Sequence, residues 1–237
     1  MATPEEQARK LAIKTNKDLD NLFTRMRSPR SRISTTYRNT RRSLKGNLRN
    51  PAIVREALAL LRRDVQSATE ELADEAEAIG ISQATENLGL YDLVAGAVDV
   101  TIKAGALLAI LAALDKQTNA TQALANFPDG EALILGDETR VGLLSPGLLF
   151  NEMAVLLAMV TSGVFIGLVN GATNQGFKQA VAVLDRHTTD CCKRVDGQVK
   201  PLDKPFVLTG TPRFSRLMDL PPFHWNCRTS VAFTLAE

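Results

Sequence analysis

The chain has 237 residues, of which 45% are hydrophobic, and a formal net charge of +2 at pH 7. This length and composition allow one or two domains with a buried core and no need of disulfides. The three cysteines are odd in number and all lie after residue 190, which argues against a secreted disulfide scaffold. The polar start Met1–Glu6 is unlike a signal peptide, so we expect synthesis and assembly in a reducing cytoplasm.

The charge is distributed unevenly along the chain. Residues 1–50 hold 13 Lys or Arg against 4 Asp or Glu, giving +9, whereas the remainder holds 15 against 22, giving −7. From Arg25 to Arg49 there are nine basic residues and no acidic one, in a segment rich in Ser, Thr and Asn. Such a composition offers little to bury. We therefore expect residues 1–50 to be a basic arm that is ordered only by a partner.

Nucleic-acid phosphate is one candidate partner for this arm, because each neutralised phosphate releases counterions. The alternatives are an acidic protein surface and simple solvation. The residues that would make the contact are Arg25, Arg27, Arg30, Arg32, Arg38, Arg41, Arg42, Lys45 and Arg49.

Apolar periodicity predicts a helical body over residues 51–178. Asn50 and Pro51 supply an N-cap and a first helical residue. Apolar residues then recur every three or four positions to about Ala78, the pattern of an amphipathic helix, and Gly80 is expected to end it.

Three further segments complete this body. A second helical region is predicted over residues 82–114. Residues 119–142 contain one proline and three glycines, which predicts a loop with one short strand near Leu133–Leu135. Ser145 and Pro146 then begin another helix, which continues to about Gly171.

The last of these helices includes an uncharged stretch from Met153 to Val169. A membrane span needs about 20 apolar residues, and Thr161, Ser162 and Gly163 interrupt this stretch in its middle. We favour a buried core or subunit-interface helix, with no stable membrane insertion. A membrane span and an amphipathic segment that meets a membrane only transiently are the alternatives.

Residues 179–237 are predicted to form a small separate unit. All three cysteines and both histidines lie here, in two clusters at residues 185–192 and 221–228. Between the clusters, Asp196 and Gly197 are flanked by Val195 and Val199, which predicts a tight β-hairpin turn with a positive φ. The sequence thus predicts a mainly α fold, with a helical body and a small α+β C-terminal unit that contains a β-hairpin.

A recognisable order of features runs through this unit. A strand-like segment Val181–Asp185 and a Thr/Cys segment precede the Asp-Gly pair, and a Pro-Pro-x-His-x-Asn-Cys-Arg string follows at 221–228. This order resembles the C-terminal domain of the phage minor head proteins, also called the Mu F-like or head morphogenesis family, over about residues 175–233. Upstream of it the chain shows only a helical stretch without a particular motif.

The resemblance implies a non-enzymatic virion component. Such a protein is bound at or near the portal vertex of the head and helps head assembly or head–tail joining, after synthesis in the host cytoplasm. Its expected partners are the portal and/or the major capsid protein, with packaged DNA as a further partner of the basic arm. An internal DNA-binding protein ejected with the genome is an alternative.

The resemblance also bears on metal binding. Members of the family often show Cys-x-x-Cys followed by His-x-x-Cys, a set that could hold a tetrahedral zinc ion. In this chain, counting back from Asp196, the second cysteine position holds Cys192 but the first holds Thr189. The ligand set implied by the resemblance is therefore Cys192, His224 and Cys227.

His187 and Cys191 are the candidates for a fourth ligand. Successive side chains in an extended segment point to opposite faces, so Cys191 and Cys192 are expected to suit one ion poorly. We favour a packed, hydrogen-bonded cluster that needs no cofactor. Zinc binding and a Cys192–Cys227 disulfide formed after lysis are the alternatives.

The same residues offer little for catalysis. Cys227 and His224 are the evident nucleophile and base, but three residues apart in a Pro-rich segment they need not face each other. The sequence contains no Walker loop, dinucleotide fingerprint or His-Glu-x-x-His motif. Some relatives carry a toxin domain after the minor head unit, and here the chain ends ten residues past Cys227. We expect no enzymatic activity. The alternative interpretation is an enzyme or effector related to nucleases or toxins.

The remaining motif residues receive structural roles. Arg228 is expected to pair with Asp185 or Asp196, or else to face solvent, and Trp225 is expected to anchor an interface. The residues assigned to the structural motif are Asp185, Asp196, Gly197, Pro222, Asn226 and Arg228.

Overall fold

The computed structural model describes residues 2–25, 27–97, 99–136, 141–210, 215–225 and 227–235. With 63% of the structure helical and a few antiparallel strands near the C-terminus, the predicted mainly α fold with a small α+β unit is confirmed. The chain divides into two compact units. The first comprises Met1–Thr24, Ala73–Ala106 and Ala154–Glu237, and the second comprises Arg25–Leu72 and Leu107–Met153.

In the part of the chain that the structure describes, six helices come before the first strand and a seventh follows it. They are α1 (Pro4–Arg25), α2 (Arg27–Leu44), α3 (Pro51–Gly89), α4 (Val100–Leu124), α5 (Gly130–Leu135), α6 (Pro146–Ala172) and α7 (Asp190–Val195). The strands are β1 (Phe177–Ala182), β2 (Val199–Pro201), β3 (Phe206–Val207), β4 (Leu217–Met218) and β5 (Thr229–Thr234).

The sheet of the first unit is built around β1. Strands β2 and β5 both pair with it in antiparallel fashion, giving the order β2-β1-β5, while β3 and β4 form a separate two-stranded pair. Helix α1 packs on the sheet through four small or β-branched residues that are fully buried, Ala8, Ala12, Val181 and Ala232. Small side chains let the helix approach the strands closely, because little volume separates the two backbones.

Polar side chains also join α1 to the sheet. Asn16 donates from its Nδ2 to the Val181 carbonyl at 3.3 Å, and the Ser230 hydroxyl donates to the Ala12 carbonyl at 2.6 Å. From α3, Gln83 donates to the carbonyl of Val231 at 2.6 Å. The N-terminal helix is therefore part of the same folded unit as the C-terminal strands.

Helix α2 lies within residues 1–50, the segment expected to be an arm ordered only by a partner. Ile33, Tyr37 and Leu44 are buried, at 0%, 1% and 0% exposure. Their spacing of four and seven residues places them on one face of the helix. The Tyr37 hydroxyl donates to Oε1 of Gln117 at 2.7 Å. The premise that this segment has little to bury was wrong, because its few apolar residues share one stripe.

Helix α3 begins as predicted but does not end at Gly80. Asn50 caps it, with its Oδ1 accepting from the backbone N–H of Ala52 at 3.1 Å. The helix continues through Gly80 to Gly89. A Cβ at position 80 would lie 2.6 Å from the carbonyl oxygen of Thr161 in α6, so glycine here serves a close helix–helix approach rather than a helix end.

Two other predicted segments differ in the structure. The helical region expected over 82–114 is interrupted after Gly89, and α4 starts only at Val100. The short strand expected near Leu133–Leu135 is the helix α5, in which the backbone N–H of Leu133 donates to the Asp129 carbonyl at 3.1 Å. A run of good helix formers follows Gly130, and no neighbouring strand is present among the described residues to pair with it.

Helix α6 begins at Pro146 and ends at Ala172, close to the predicted bounds. The part from Leu149 to Ala172 is long and apolar enough to cross a membrane by length and composition, and 56% of its apolar window is buried within the protein. Core helices of water-soluble proteins meet the same criterion.

Candidate functional site

The cysteine and histidine side chains come from two elements of the first unit. Cys191 and Cys192 lie in helix α7, which follows β1. His224 and Cys227 lie in the segment that leads into β5, where the backbone N–H of Cys227 donates to the His224 carbonyl at 3.2 Å. Since β1 and β5 are paired along their whole length, the two elements meet at the same end of the sheet.

The structure brings together the three residues that the sequence singled out. The Sγ of Cys192 lies 2.9 Å from Nε2 of His224 and 3.7 Å from the Sγ of Cys227. Cys192 and His224 are 2% and 5% exposed. A fourth member, Thr189, places its hydroxyl 2.8 Å from the same Nε2. We call Thr189, Cys192, His224 and Cys227 the Cys/His cluster.

The hydrogen bonds determine the tautomer of His224. Its Nδ1 lies 2.6 Å from the carbonyl oxygen of Trp225, which can only accept, so Nδ1 carries the proton and donates. In a neutral ring Nε2 is then the acceptor, and the Thr189 hydroxyl donates to it, which leaves the single proton of the Cys192 thiol for Cys227. The ring is thus held from both sides.

The two cluster cysteines differ in acidity. The hydrogen bond to Cys227, together with burial, raises the pKa of Cys192 to about 12. Burial acts to raise the pKa of Cys227 as well, but the hydrogen bonds to its sulfur from Cys192, the Phe223 backbone and Thr229 together outweigh burial, and the pKa falls to about 7. Cys192 is therefore the donor of the pair, and Cys227 is the acceptor that carries negative charge more readily.

The cluster fits a zinc ion only in part. In a tetrahedral site with bond lengths of about 2.3 Å to sulfur and about 2.0 Å to nitrogen, two sulfurs are separated by about 3.8 Å and a sulfur and nitrogen by about 3.5 Å. The Cys192–Cys227 separation of 3.7 Å agrees with this, but the 2.9 Å between Cys192 and His224 does not. The thiol and ring would have to move apart before both could bind one ion, so the geometry favours the hydrogen-bonded cluster.

The two candidates for a fourth ligand are placed differently. His187 is exposed, and its Nε2 accepts a hydrogen bond from Nε of Arg186 at 3.0 Å. The thiol of Cys191 lies within 4.8 Å of both Cys192 and His224. Cys191 and Cys192 lie in helix α7 and not in the extended segment on which the expectation of opposite-facing side chains rested, and neighbouring helical side chains diverge by about 100°.

The Asp196–Gly197 pair forms a turn, but not the predicted hairpin. Val195 is the last residue of helix α7, so the turn joins a helix to β2. Gly197 has the expected positive φ of 78°, and its N–H donates to the Ala180 carbonyl at 2.8 Å. A turn residue with positive φ suits a helix C-terminus as well as a hairpin, which explains the difference.

Asp196 has a further role that the sequence did not indicate. Its Oδ1 accepts from the backbone N–H of Ala182 at 2.9 Å. Both of its carboxylate oxygens also accept from Arg9 of helix α1, at 3.2 and 2.9 Å. This carboxylate therefore joins the turn, the end of β1 and the N-terminal helix.

Arg228 pairs with Asp185, one of the two partners expected for it. Asp185 Oδ1 also accepts from the backbone N–H of His187 at 2.8 Å. The hydrogen bond from Arg228 is the largest cause that holds the pKa of Asp185 well below its usual range, and the hydrogen bond from the His187 backbone adds to this effect. Pro222, in a cis peptide bond with Pro221, is buried beside the cluster segment. Asn226 lies outside the described residues.

The nine basic residues belong to the second unit, and some of them already have partners. Arg32 pairs with Glu71, and the guanidinium of Arg30 lies 4.7 Å from the ring centroid of Phe150. Arg41 donates to the Leu135 carbonyl. The exposed members of the set are Arg30, Arg32, Arg38, Arg41, Arg42, Lys45 and Arg49. The side chains of Arg25 and Arg27 lie outside the described part of the structure.

Sequence reasoning missed Thr189 and Arg9 as members of the site. Thr189 stands three residues before Cys192, a spacing that could have indicated it. Arg9 is 187 residues from its partner and carries no signal in the sequence.

Comparisons of the chain with models of protein families, with curated proteins and with solved structures find no match.

Proposed function

We propose that the chain is a non-enzymatic structural component of a phage virion. In this proposal it is a minor head protein at or near the portal vertex and acts in head assembly or head–tail joining. It is assembled in the host cytoplasm without stable insertion into a membrane. The portal and/or the major capsid protein are its partners.

The observation that supports this proposal is that the motif residues contact other parts of the same small unit. Cys192, His224 and Cys227 contact one another, Arg228 holds Asp185, and Gly197 turns the chain back to β1. Each contact closes the small sheet unit upon itself. A small unit needs internal contacts of this kind to be stable. The structural use of these residues therefore supports a role as a binding scaffold.

The buried state of the cluster supports a function without turnover. Cys227, the evident nucleophile, would need His224 as its base, but the His224 side chain is almost fully buried. The Nε2 of His224, which would act as the base, already faces Thr189 and Cys192. Trp225, next to His224, is 42% exposed and offers a large apolar anchor for a partner protein.

The experiment compares two variants in assembled particles. We expect His224→Ala and Cys227→Ala to reduce incorporation into heads in proportion to their loss of folding stability. Each variant is measured by its unfolding midpoint and by its copy number per purified head. A variant that folds and incorporates normally but loses infectivity together with a measurable hydrolytic activity would contradict the proposal.

A further inference from the structure

Helix α2 presents two different faces within the second unit. One face is buried, as described above. The other carries Arg38 and Arg42, and Lys45 continues it just beyond the last helical residue. Spacings of four and three residues place these side chains in one stripe. The helix is therefore a pre-formed support for three exposed cations.

This basic stripe lines an open groove of about 740 Å³. Arg41 and residues of helix α5 line it as well. Among the described residues that line it, the groove contains one acid, Glu131, which accepts from the backbone N–H of Gly46 at 3.2 Å. These described lining residues carry four cations and one anion, so this part of the groove attracts anions.

The three cations of the stripe form no salt bridge within the described part of the chain. Arg41 is fixed by its hydrogen bond to the Leu135 carbonyl. Among the residues that the structure describes, no salt bridge joins Arg38, Arg42 or Lys45 to a carboxylate. Their charges can therefore be given to an external partner without breaking an existing pair.

The composition of the exposed face favours phosphate over a protein partner. In α2, the described apolar side chains are all buried, namely Pro29, Ile33, Tyr37 and Leu44. Ser, Thr and Asn residues occupy positions between the arginines. Protein interfaces have an apolar or aromatic centre, which the exposed face of α2 lacks, although Ala132, Leu135 and Pro146 beside it give the groove an apolar wall. Hydroxyl, amide and guanidinium groups all bind phosphate oxygens.

The same face also distinguishes a duplex from a single strand. Proteins bind single strands by stacking the bases on exposed aromatic side chains. The aromatic residue of α2, Tyr37, is buried and donates its hydroxyl to Gln117. Contacts to the backbone of a duplex need only the charges.

We propose that this groove binds the phosphate backbone of double-stranded DNA without regard to base sequence. Arg38, Arg42 and Lys45 neutralise phosphates, and the neighbouring hydroxyl and amide side chains donate further hydrogen bonds to phosphate oxygens. The inference concerns a different unit from the Cys/His cluster and does not rest on the proposed virion function. Its test uses the purified full chain, so the two can fail separately.

The experiment measures binding to a fluorescent duplex of mixed sequence by anisotropy at several salt concentrations. The groove variant is Arg38→Gln/Arg42→Gln/Lys45→Gln. The control variant, Lys10→Gln/Lys17→Gln/Lys193→Gln, removes the same charge from exposed positions in the first unit. Circular dichroism and the unfolding midpoint confirm that both variants fold.

We expect the full chain to bind duplexes of unrelated sequence within about twofold of one another. The groove variant should bind at least tenfold more weakly at low salt, and its slope of log K against log [salt] should be shallower by about 3, about 1 for each lost phosphate contact. The control should stay within about threefold of the unchanged chain. Equal losses in the two variants, affinity that does not depend on salt, or tighter binding to a single strand of equal length would each overturn the proposal.

Discussion

Arg9 binds Asp196 through both carboxylate oxygens, at 2.9 and 3.2 Å, although the two residues stand 187 positions apart in the chain. The contact links the N-terminal helix to the turn that follows helix α7. The carboxylate also accepts from the Ala182 N–H, so it holds three elements of the first unit. The small C-terminal sheet is therefore folded together with the beginning of the chain.

This relationship predicts unequal effects of two substitutions. Arg9 is partly exposed, so Arg9→Gln should lower the free energy of unfolding by only about 0.5–1 kcal/mol. Asp196→Ala also leaves the backbone N–H of Ala182 without its acceptor and should cost about 2 kcal/mol. Urea unfolding of both single variants and the double variant measures the coupling. Strict additivity would contradict a direct contact.

Helix α2 should be ordered in the free protein. We expect slow amide exchange over residues 36–44, comparable with that of the first turns of α3, because one face of α2 is buried. Tyr37→Phe should cost about 1 kcal/mol through the lost hydrogen bond to Gln117. Tyr37→Ala should cost about 3–5 kcal/mol through the lost ring. Rapid amide exchange throughout α2 in the free protein would instead indicate an arm that is ordered only by a partner.

Two helical glycines should respond in opposite ways to the same substitution. Gly80→Ala should lower the free energy of unfolding by about 1–3 kcal/mol, because its Cβ would meet the Thr161 carbonyl. Gly105→Ala, in helix α4, has no atom within 4 Å of the added carbon and should stabilise by about 0.5–1 kcal/mol. Thermal unfolding of the two variants measures both changes in stability. A change of the same sign in both variants would contradict the close approach of α3 and α6.

Cys227 should be the first cysteine to react with iodoacetamide. With a pKa of about 7 its thiolate fraction rises as the pH rises through 7, whereas the raised pKa keeps Cys192 protonated. Cys192→Ala removes the strongest of the hydrogen bonds that lower the pKa of Cys227, so alkylation at pH 7 should slow by about threefold or more. Peptide mapping by mass spectrometry measures both rates. Preferential labelling of Cys192 would contradict the assigned donor and acceptor.

Metal content separates the two states of the Cys/His cluster. Because the Cys192 thiol and the His224 ring are too close to bind one ion together, we expect well below one zinc per chain in protein purified without chelator. Elemental analysis by plasma mass spectrometry gives the ratio, and addition of a chelator should leave the unfolding midpoint unchanged. Near-stoichiometric zinc, with a midpoint that falls on chelation, would show that the cluster is a metal site.

Local signals in the sequence predicted local structure well. The starts of α3 and α6 were found because Asn50-Pro51 and Ser145-Pro146 act within a single helical turn. The Asp196–Gly197 turn was located, but its neighbours were misassigned because a positive φ serves both hairpins and helix ends. Gly80 was misread because a glycine needed for helix packing looks the same in sequence as one that ends a helix.

Relationships over a long range could be predicted only in part. The meeting of Cys192, His224 and Cys227 was expected from the two clusters, but the approach of the Cys191 thiol to within 4.8 Å of Cys192 and His224 depended on a short helix that was not foreseen. The burial of Tyr37 was hidden because the average composition of the segment is polar, although its few apolar residues are correctly spaced for one face. Such contacts are decided by tertiary packing, which local propensity does not report.

The most direct test of the proposed virion role is the copy number of this chain in purified phage heads, measured by quantitative mass spectrometry against the portal and major capsid proteins. We expect the chain to be present in heads, in few copies per particle, and to remain with them after unbound protein is washed away. Its absence from heads, or a copy number similar to that of the major capsid protein, would contradict the proposed role.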